Sequence, residues 1–282
     1  MGLVEDLVRF NSLPGHIRKM EDPITGPGLA ICITEYCTLN CRDCLVKIPF
    51  YRSRRHIDLN ELKLWVDNLF LAFDYITELT PIGGETFLYP DLPLFLKYVY
   101  EKHHDKVGFV DIFTNSIKLP SDEQLDALVY TKSSIIVSDY GDLSKTKDQL
   151  ISICETRGIR CTVQNRHKWI DIKMNFKQNQ SRSEVQHRFN DCTQAVCYII
   201  ANGALYPCSP SAFHTKLGII PDNTDNYIDC TKPVERDELS KFLSRNRYFD
   251  ACLYCSGGSY VGNTIPSAIQ AEGNIPYKRY DE

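Results

Sequence analysis

The strongest constraint on the fold is a regular alternation of two hydrophobic periods. Five short runs rich in β-branched and apolar residues read as buried strands, at 29–36, 75–82, 107–114, 133–138 and 159–164. Between them lie longer segments with helical spacing. The one at 58–72 has Asp58 as its cap and Leu59, Leu62, Leu64, Trp65 and Leu69 as its apolar positions. Others span 92–103, the stretch opened by Pro120 and Ser121, and 144–157. A sixth strand is expected at 168–174. Strand–helix alternation implies parallel pairing through right-handed crossovers. The expected class is α/β, a partial (β/α)6 barrel, and a doubly wound sheet has the same periodicity.

Beyond about residue 186 the texture changes. Tyr198 to Tyr206 reads as a hairpin, because Asn202-Gly203 supplies two turn positions that tolerate positive φ. A helix follows at 236–246, then a segment rich in Cys and Gly at 252–258. The expected division is therefore 1–185 for the barrel and 186–282 for a small α+β domain. Neither internal repeats nor low-complexity segments interrupt it.

A net charge of -4 gives no reason to expect nucleic acid or an anionic membrane as partner. Glu5 and Asp6 interrupt the first residues, which do not read as a secretory signal, and Asp6 also argues against myristoylation at Gly2. No apolar run is long enough to span a bilayer. The expected compartment is the cytoplasm, where thiols stay reduced, so 12 cysteines point to metal before disulfides. Cys32, Cys154 and Cys161 sit in strand-like or helix-like apolar patterns and read as packing.

The densest thiol cluster is Cys37-Thr38-Leu39-Asn40-Cys41-Arg42-Asp43-Cys44, just after the first strand. Three thiolates in one loop can hold three corners of an iron–sulfur cube, and with no fourth cysteine on that loop the last iron stays open to another ligand. Structural zinc fits less well, since it takes four ligands, usually as two separated pairs. The spacing and its place after the first strand resemble the radical S-adenosylmethionine superfamily. The resemblance implies a [4Fe–4S] cluster whose open iron is chelated by S-adenosylmethionine. It also implies an external one-electron reductant such as flavodoxin or ferredoxin, and a 5′-deoxyadenosyl radical that abstracts hydrogen.

Gly83-Gly84-Glu85 ends the second strand. Adjacent glycines permit close approach of a ligand, and the segment resembles the family's motif for the amino group of the cofactor's methionine, with Thr86 where proline is common. Thr114-Asn115-Ser116 after strand three and Ser138-Asp139-Tyr140 after strand four resemble its polar contacts to the same ligand. Singly, such residues are ordinary turn formers. Their common position, beyond the carboxyl ends of successive strands, is where barrels gather functional groups. Gln164-Asn165-Arg166 occupies the same place after strand five. Asp43 departs from the family, which has an aromatic residue there near the adenine, so adenine contact would fall to backbone groups or other side chains.

In the tail, Cys192, Cys208, Cys252 and Cys255 could close a metal site completely, as zinc or as an iron–sulfur cube. Beside the first loop, the Cys-x10-Gly-x4-Cys pattern is similar to the SPASM/twitch extensions of radical enzymes. The shorter twitch form implies one auxiliary [4Fe–4S] cluster, two clusters in all, in a layout of the 2-deoxy-scyllo-inosamine dehydrogenase type. Cys197 is a rival to Cys192, since a two-residue turn sets it across from Cys208. Cys230 reads as packing or a spare thiol.

A cube with four protein ligands suits electron transfer. The leading expectation is therefore oxidation of a carbinol of a sugar, cyclitol or related small molecule, with the auxiliary cluster as electron acceptor. Epimerisation or thioether formation on a ribosomal peptide is the alternative, weakened because about 28 residues precede the first strand, too few for a peptide-recognition domain. A non-catalytic iron–sulfur or zinc protein is the third reading. Arg166, Asp139 and Tyr140 are the candidates for catalysis, with His167 and His214 behind them.

Overall fold

The apolar run around Ile31 and Ile33 builds the centre of the molecule, and both side chains are fully buried. A computed structural model describes residues 23–172, 176–258 and 263–280. Gly2, Glu5 and Asp6, and positions 173 and 174 of the expected sixth strand, lie outside the described residues.

Five parallel strands follow in order: β1 (Thr25–Thr34), β2 (Tyr75–Gly83), β3 (Val107–Thr114), β4 (Ser134–Asp139) and β5 (Cys161–Asn165). The crossovers carry α1 (Leu59–Phe70), α2 (Leu92–His103), α3 (Asp122–Thr131) and α4 (Lys147–Arg157). Their starts are chemically marked. The Asp58 carboxylate accepts from the backbone N–H groups of Asn60 and Glu61, satisfying donors that the first turn leaves open. Ser121 and Gln124 form a reciprocal capping box at α3. Leu62, Leu69, Phe95, Leu128 and Leu150 from these helices are buried in the core that contains Ile31.

The sixth strand differs from expectation. Lys168–Ile170 does form a strand, β6, but it pairs antiparallel with β10 (Thr264–Pro266) in a separate two-stranded sheet. The reason is length. Only Arg166 and His167 separate β5 from β6, whereas a parallel return needs a crossover of about a dozen residues. After α5 (Arg182–Asn190), the chain instead adds β7 (Tyr198–Ala201) parallel to the other side of β1.

The hairpin forms as read. Ala201 pairs with Ala204 across a turn in which Asn202 and Gly203 have φ of 51° and 83°. It places β8 (Ala204–Tyr206) beside β7, and β9 (Ile228–Asp229) follows, giving the order β5-β4-β3-β2-β1-β7-β8-β9. Two further helices, α6 (Ser209–Leu217) and α7 (Arg236–Leu243), complete the described α-helices. Among the described residues no helix is long and apolar enough to cross a membrane.

Candidate cofactor site

At the carboxyl end of β1 the chain enters the cysteine loop, and β2 ends against it. Gly84 N–H donates to Thr34 O at 2.9 Å, and Glu85 N–H to Tyr36 O at 2.8 Å. A Cβ on Gly83, whose φ is 151°, would stand 2.0 Å from Thr34 O. One on Gly84 would stand 1.9 Å from Tyr36 O and 2.9 Å from Cys37 Cβ. The glycines are thus required by the approach of β2 to the cysteine loop, a reason beyond the room for a ligand that the motif suggests.

Glu85 is 1% exposed and its carboxylate is engaged within the protein. It accepts from Thr114 Oγ1 at 2.8 Å, Asn115 N at 2.9 Å and Phe87 N at 3.3 Å. Burial pushes its pKa up to about 7, against the pull of these donors. Its evident work is to tie the ends of β2 and β3 together. Asn115 extends the tie, donating from Nδ2 to Thr38 Oγ1 at 2.9 Å and to Cys37 Sγ at 3.7 Å. Ser116 is buried behind it, with a φ of 54°.

Cys37, Cys41 and Cys44 line one cavity of about 1040 Å³. Gly83, Gly84, Glu85, Thr114, Asn115 and Ser138 line it too. Burial pushes the Cys37 thiol up to about 12 and Cys41 to about 11, and raises Cys44 as well. Donors oppose this: Leu39 N–H reaches Cys37 Sγ at 3.4 Å and Gln270 Nε2 reaches Cys41 Sγ at 3.4 Å. Among the described residues no three His, Cys, Asp or Glu side chains are gathered so as to hold a single metal ion. A zinc ion draws its thiolates to about 2.3 Å around one point. A cube distributes them over separate irons, and its soft irons suit an all-thiol donor set. Three thiol donors lining one cavity suit three corners of such a cube.

The tail cysteines form a second set. Cys208 precedes α6 and is raised by burial and by the neighbouring Cys252, Cys192 and Cys255. Burial likewise takes Cys252 to about 12 and Cys255 to about 11, each with Cys192 among its neighbours. Gly257 N–H donates to Cys255 Sγ at 3.2 Å. Cys197 points its thiol at Thr193 O, 3.9 Å away. Cys32, Cys154 and Cys230 are buried in the apolar core, and Cys161 lies against Cys154. A small core that includes Ile48, Tyr51, Leu217 and Tyr254 lies between the two sets, with Cys37, Cys44 and Cys255 packed at its edge.

The catalytic candidates separate. Arg166 and Tyr140 line the cavity, and Tyr140 stands edge-on to Trp169 with ring centroids 5.8 Å apart. Asp139 is turned to Lys147 at 2.8 Å, whose hydrogen bond holds its carboxyl below the usual range. His167 is exposed. Asp43 pairs with its neighbour Arg42 at 2.9 Å. Residues without a local sequence signal also take part: Lys47 and Trp169 line the cavity, and Gln270 reaches Cys41 from the far end of the chain.

His214 is fully buried, with Nδ1 2.8 Å from Pro210 O and, among the described residues, no hydrogen-bond partner at Nε2. Burial takes its pKa from 6.5 down to about 3. Between those values the unfolded chain binds more protons than the folded one, so stability falls as pH drops below about 6.5. The slope reaches at most about 1.4 kcal/mol per pH unit. Replacing His214 with Phe is expected to flatten this slope in denaturant melts between pH 7 and 5, and an unchanged slope would refute the assignment.

No protein-family model and no curated protein matches the chain. Solved structures similar to it include BtrN in complex with AdoMet and 2-DOIA, at 16% identity and a TM-score of 0.49 over 82% of this chain and 93% of that one. Streptococcus suis SuiB bound to precursor peptide SuiA matches at 13% identity and a TM-score of 0.45, over 92% of this chain and 75% of that one. Native anSMEcpe with bound AdoMet matches at 12% identity and a TM-score of 0.41 over 49% of this chain, and the match spans only 43% of that protein.

Proposed function

We propose that the chain is a radical S-adenosylmethionine oxidoreductase that oxidises a small-molecule alcohol. Its partial barrel would occupy residues 1–185 and its twitch-like domain 186–282. The observation that carries the proposal is the convergence of Cys37, Cys41 and Cys44 with the ends of β2, β3 and β4 on one cavity. When bound, an open-cornered cluster with S-adenosylmethionine would supply one-electron reductive cleavage and hydrogen-atom abstraction. The chain's own residues would do the rest. The three thiolates hold the cluster and leave one iron open. Gly83, Gly84, Thr114, Asn115 and Ser138 would hold the cofactor's polar end, with the buried Glu85 tying the ends of β2 and β3 behind them.

With Asp43 paired to Arg42, the aromatic surface near Cys41 comes from Tyr140 and Trp169, which pack against Leu39 and Cys41. These rings take the place of the aromatic residue missing at Asp43. Arg166 is the cavity cation nearest in sequence to Asn165 and is a candidate to orient the substrate. Cys192, Cys208, Cys252 and Cys255 would hold the electron acceptor as a second [4Fe–4S] cluster. A reductant of the flavodoxin or ferredoxin kind supplies the starting electron, in the cytoplasm.

The test is anaerobic reconstitution, iron analysis and incubation with dithionite, S-adenosylmethionine and a panel of polyols. About eight irons per chain, 5′-deoxyadenosine and a matching ketone are expected. Absence of 5′-deoxyadenosine from fully loaded protein would sink the assignment. Replacing Cys252 and Cys255 with alanine should halve the iron content to about four. That variant should still release 5′-deoxyadenosine but yield no ketone. Ketone formation at the wild-type rate would remove the tail thiols from the reaction.

A further inference from the structure

The cysteine loop is covered by a segment from the other end of the sequence. Arg42 N–H donates to Ile269 O at 2.7 Å, and Ala271 N–H to Asn40 O at 2.8 Å. Asn40 Nδ2 adds bonds to Ala271 O at 3.0 Å and Gly273 O at 2.8 Å. At the centre of this strap sits Gln270. Its Oε1 accepts from Asn40 N–H at 2.7 Å, and its Nε2 donates to Ala268 O at 2.7 Å. Those two backbone partners decide which end of the amide is oxygen and which is nitrogen. The remaining N–H of Nε2 then faces Cys41 Sγ at 3.4 Å.

We propose that Gln270 is a positioning residue for the first cluster, setting its reduction potential through a hydrogen bond to the Cys41 sulfur. The proposal rests on the assignment of Cys37, Cys41 and Cys44 as ligands of that cluster. Reduction adds a negative charge that is shared with the ligand sulfurs. A donor aimed at one of them stabilises the reduced form more than the oxidised form and so raises the potential. Loss of the donor therefore lowers it. Mere loosening of the strap admits water, which also stabilises the added charge, and so raises the potential. The sign of the shift separates the two roles.

The test is an EPR-monitored redox titration of anaerobically reconstituted full-length protein. The signal that changes on adding S-adenosylmethionine marks the first cluster. If the wild type loads no iron, or no signal responds, the ligand assignment itself has failed. Given a responding signal, Gln270→Ala should lower the ratio of reduced to oxidised first cluster severalfold at a fixed potential. Gln270→Glu keeps an acceptor for Asn40 N–H but lacks the donor, and the same direction is expected. The tail cluster should titrate as in wild type. An unchanged or raised potential in these variants overturns the proposal. So does failure of both variants to load iron despite native circular dichroism, which would leave the strap a structural role alone.

Discussion

Alanine at Cys44 is expected to abolish cleavage of S-adenosylmethionine while sparing the tail iron. Cys44 lines the cavity with Cys37 and Cys41. A loop reduced to two thiolates leaves two irons of a cube without protein ligands. Iron should fall from about eight to about four per chain, and 5′-deoxyadenosine to the level of a control without enzyme. Serine should do no better, because a hard alcohol oxygen is a poor substitute for thiolate on iron. The double replacement at Cys252 and Cys255 should lose the same iron but keep the cleavage. Equal behaviour of the two variants would mean that the thiol sets have been misassigned.

Gly84→Ala is expected to be strongly destabilising. The new Cβ would stand 1.9 Å from Tyr36 O, a backbone atom that cannot swing away. Relief requires β2 to separate from the loop, breaking the bonds from Gly84 N to Thr34 O and from Glu85 N to Tyr36 O. A cost of about 3 kcal/mol or more is expected, at the upper end for overpacking. That corresponds to a fall in melting temperature of roughly 6–10 °C for a chain of this size. Gly28→Ala is the control. Its Cβ would meet only Glu78 O at 3.9 Å, an ordinary contact, and the melting temperature should move by no more than about 2 °C. If Gly84→Ala matches that control, the tight approach of β2 to the loop is not what the glycine serves.

The parts of the fold that announce themselves in sequence are those set by neighbours in sequence. Asp58 and Ser121 cap helices through N–H groups two or three residues away, and Asn202-Gly203 forms its turn alone. The cysteine loop and the ends of β2, β3 and β4 were legible for the same reason: each motif sits immediately after an apolar run. Lys168–Ile170 shows the limit of that reasoning. Its composition suits a strand, but its partner is decided by the two-residue link to β5 and by Thr264–Pro266, far along the chain. Glu85 was legible as a site residue but not in its use. Only the register of β2 against β3 reveals that its carboxylate accepts from Thr114 and Asn115. Gln270 carries no local mark at all, since its partner Cys41 is 229 residues away.

That distance has a kinetic consequence. The bond between Asn40 and Ala271 spans 231 residues, so it closes only after almost the whole described chain has been made and the sheet has brought its ends together. Contacts of such long range are the last to be rewarded in folding, because loop closure must precede them. The cysteine loop is therefore finished late, as an act of assembly rather than of local folding. Iron offered before the strap has docked meets three thiols on an open loop. Iron offered afterwards meets a walled cavity with Gln270 already facing Cys41. Maturation of this site is expected to depend on when metal arrives as much as on how much is present.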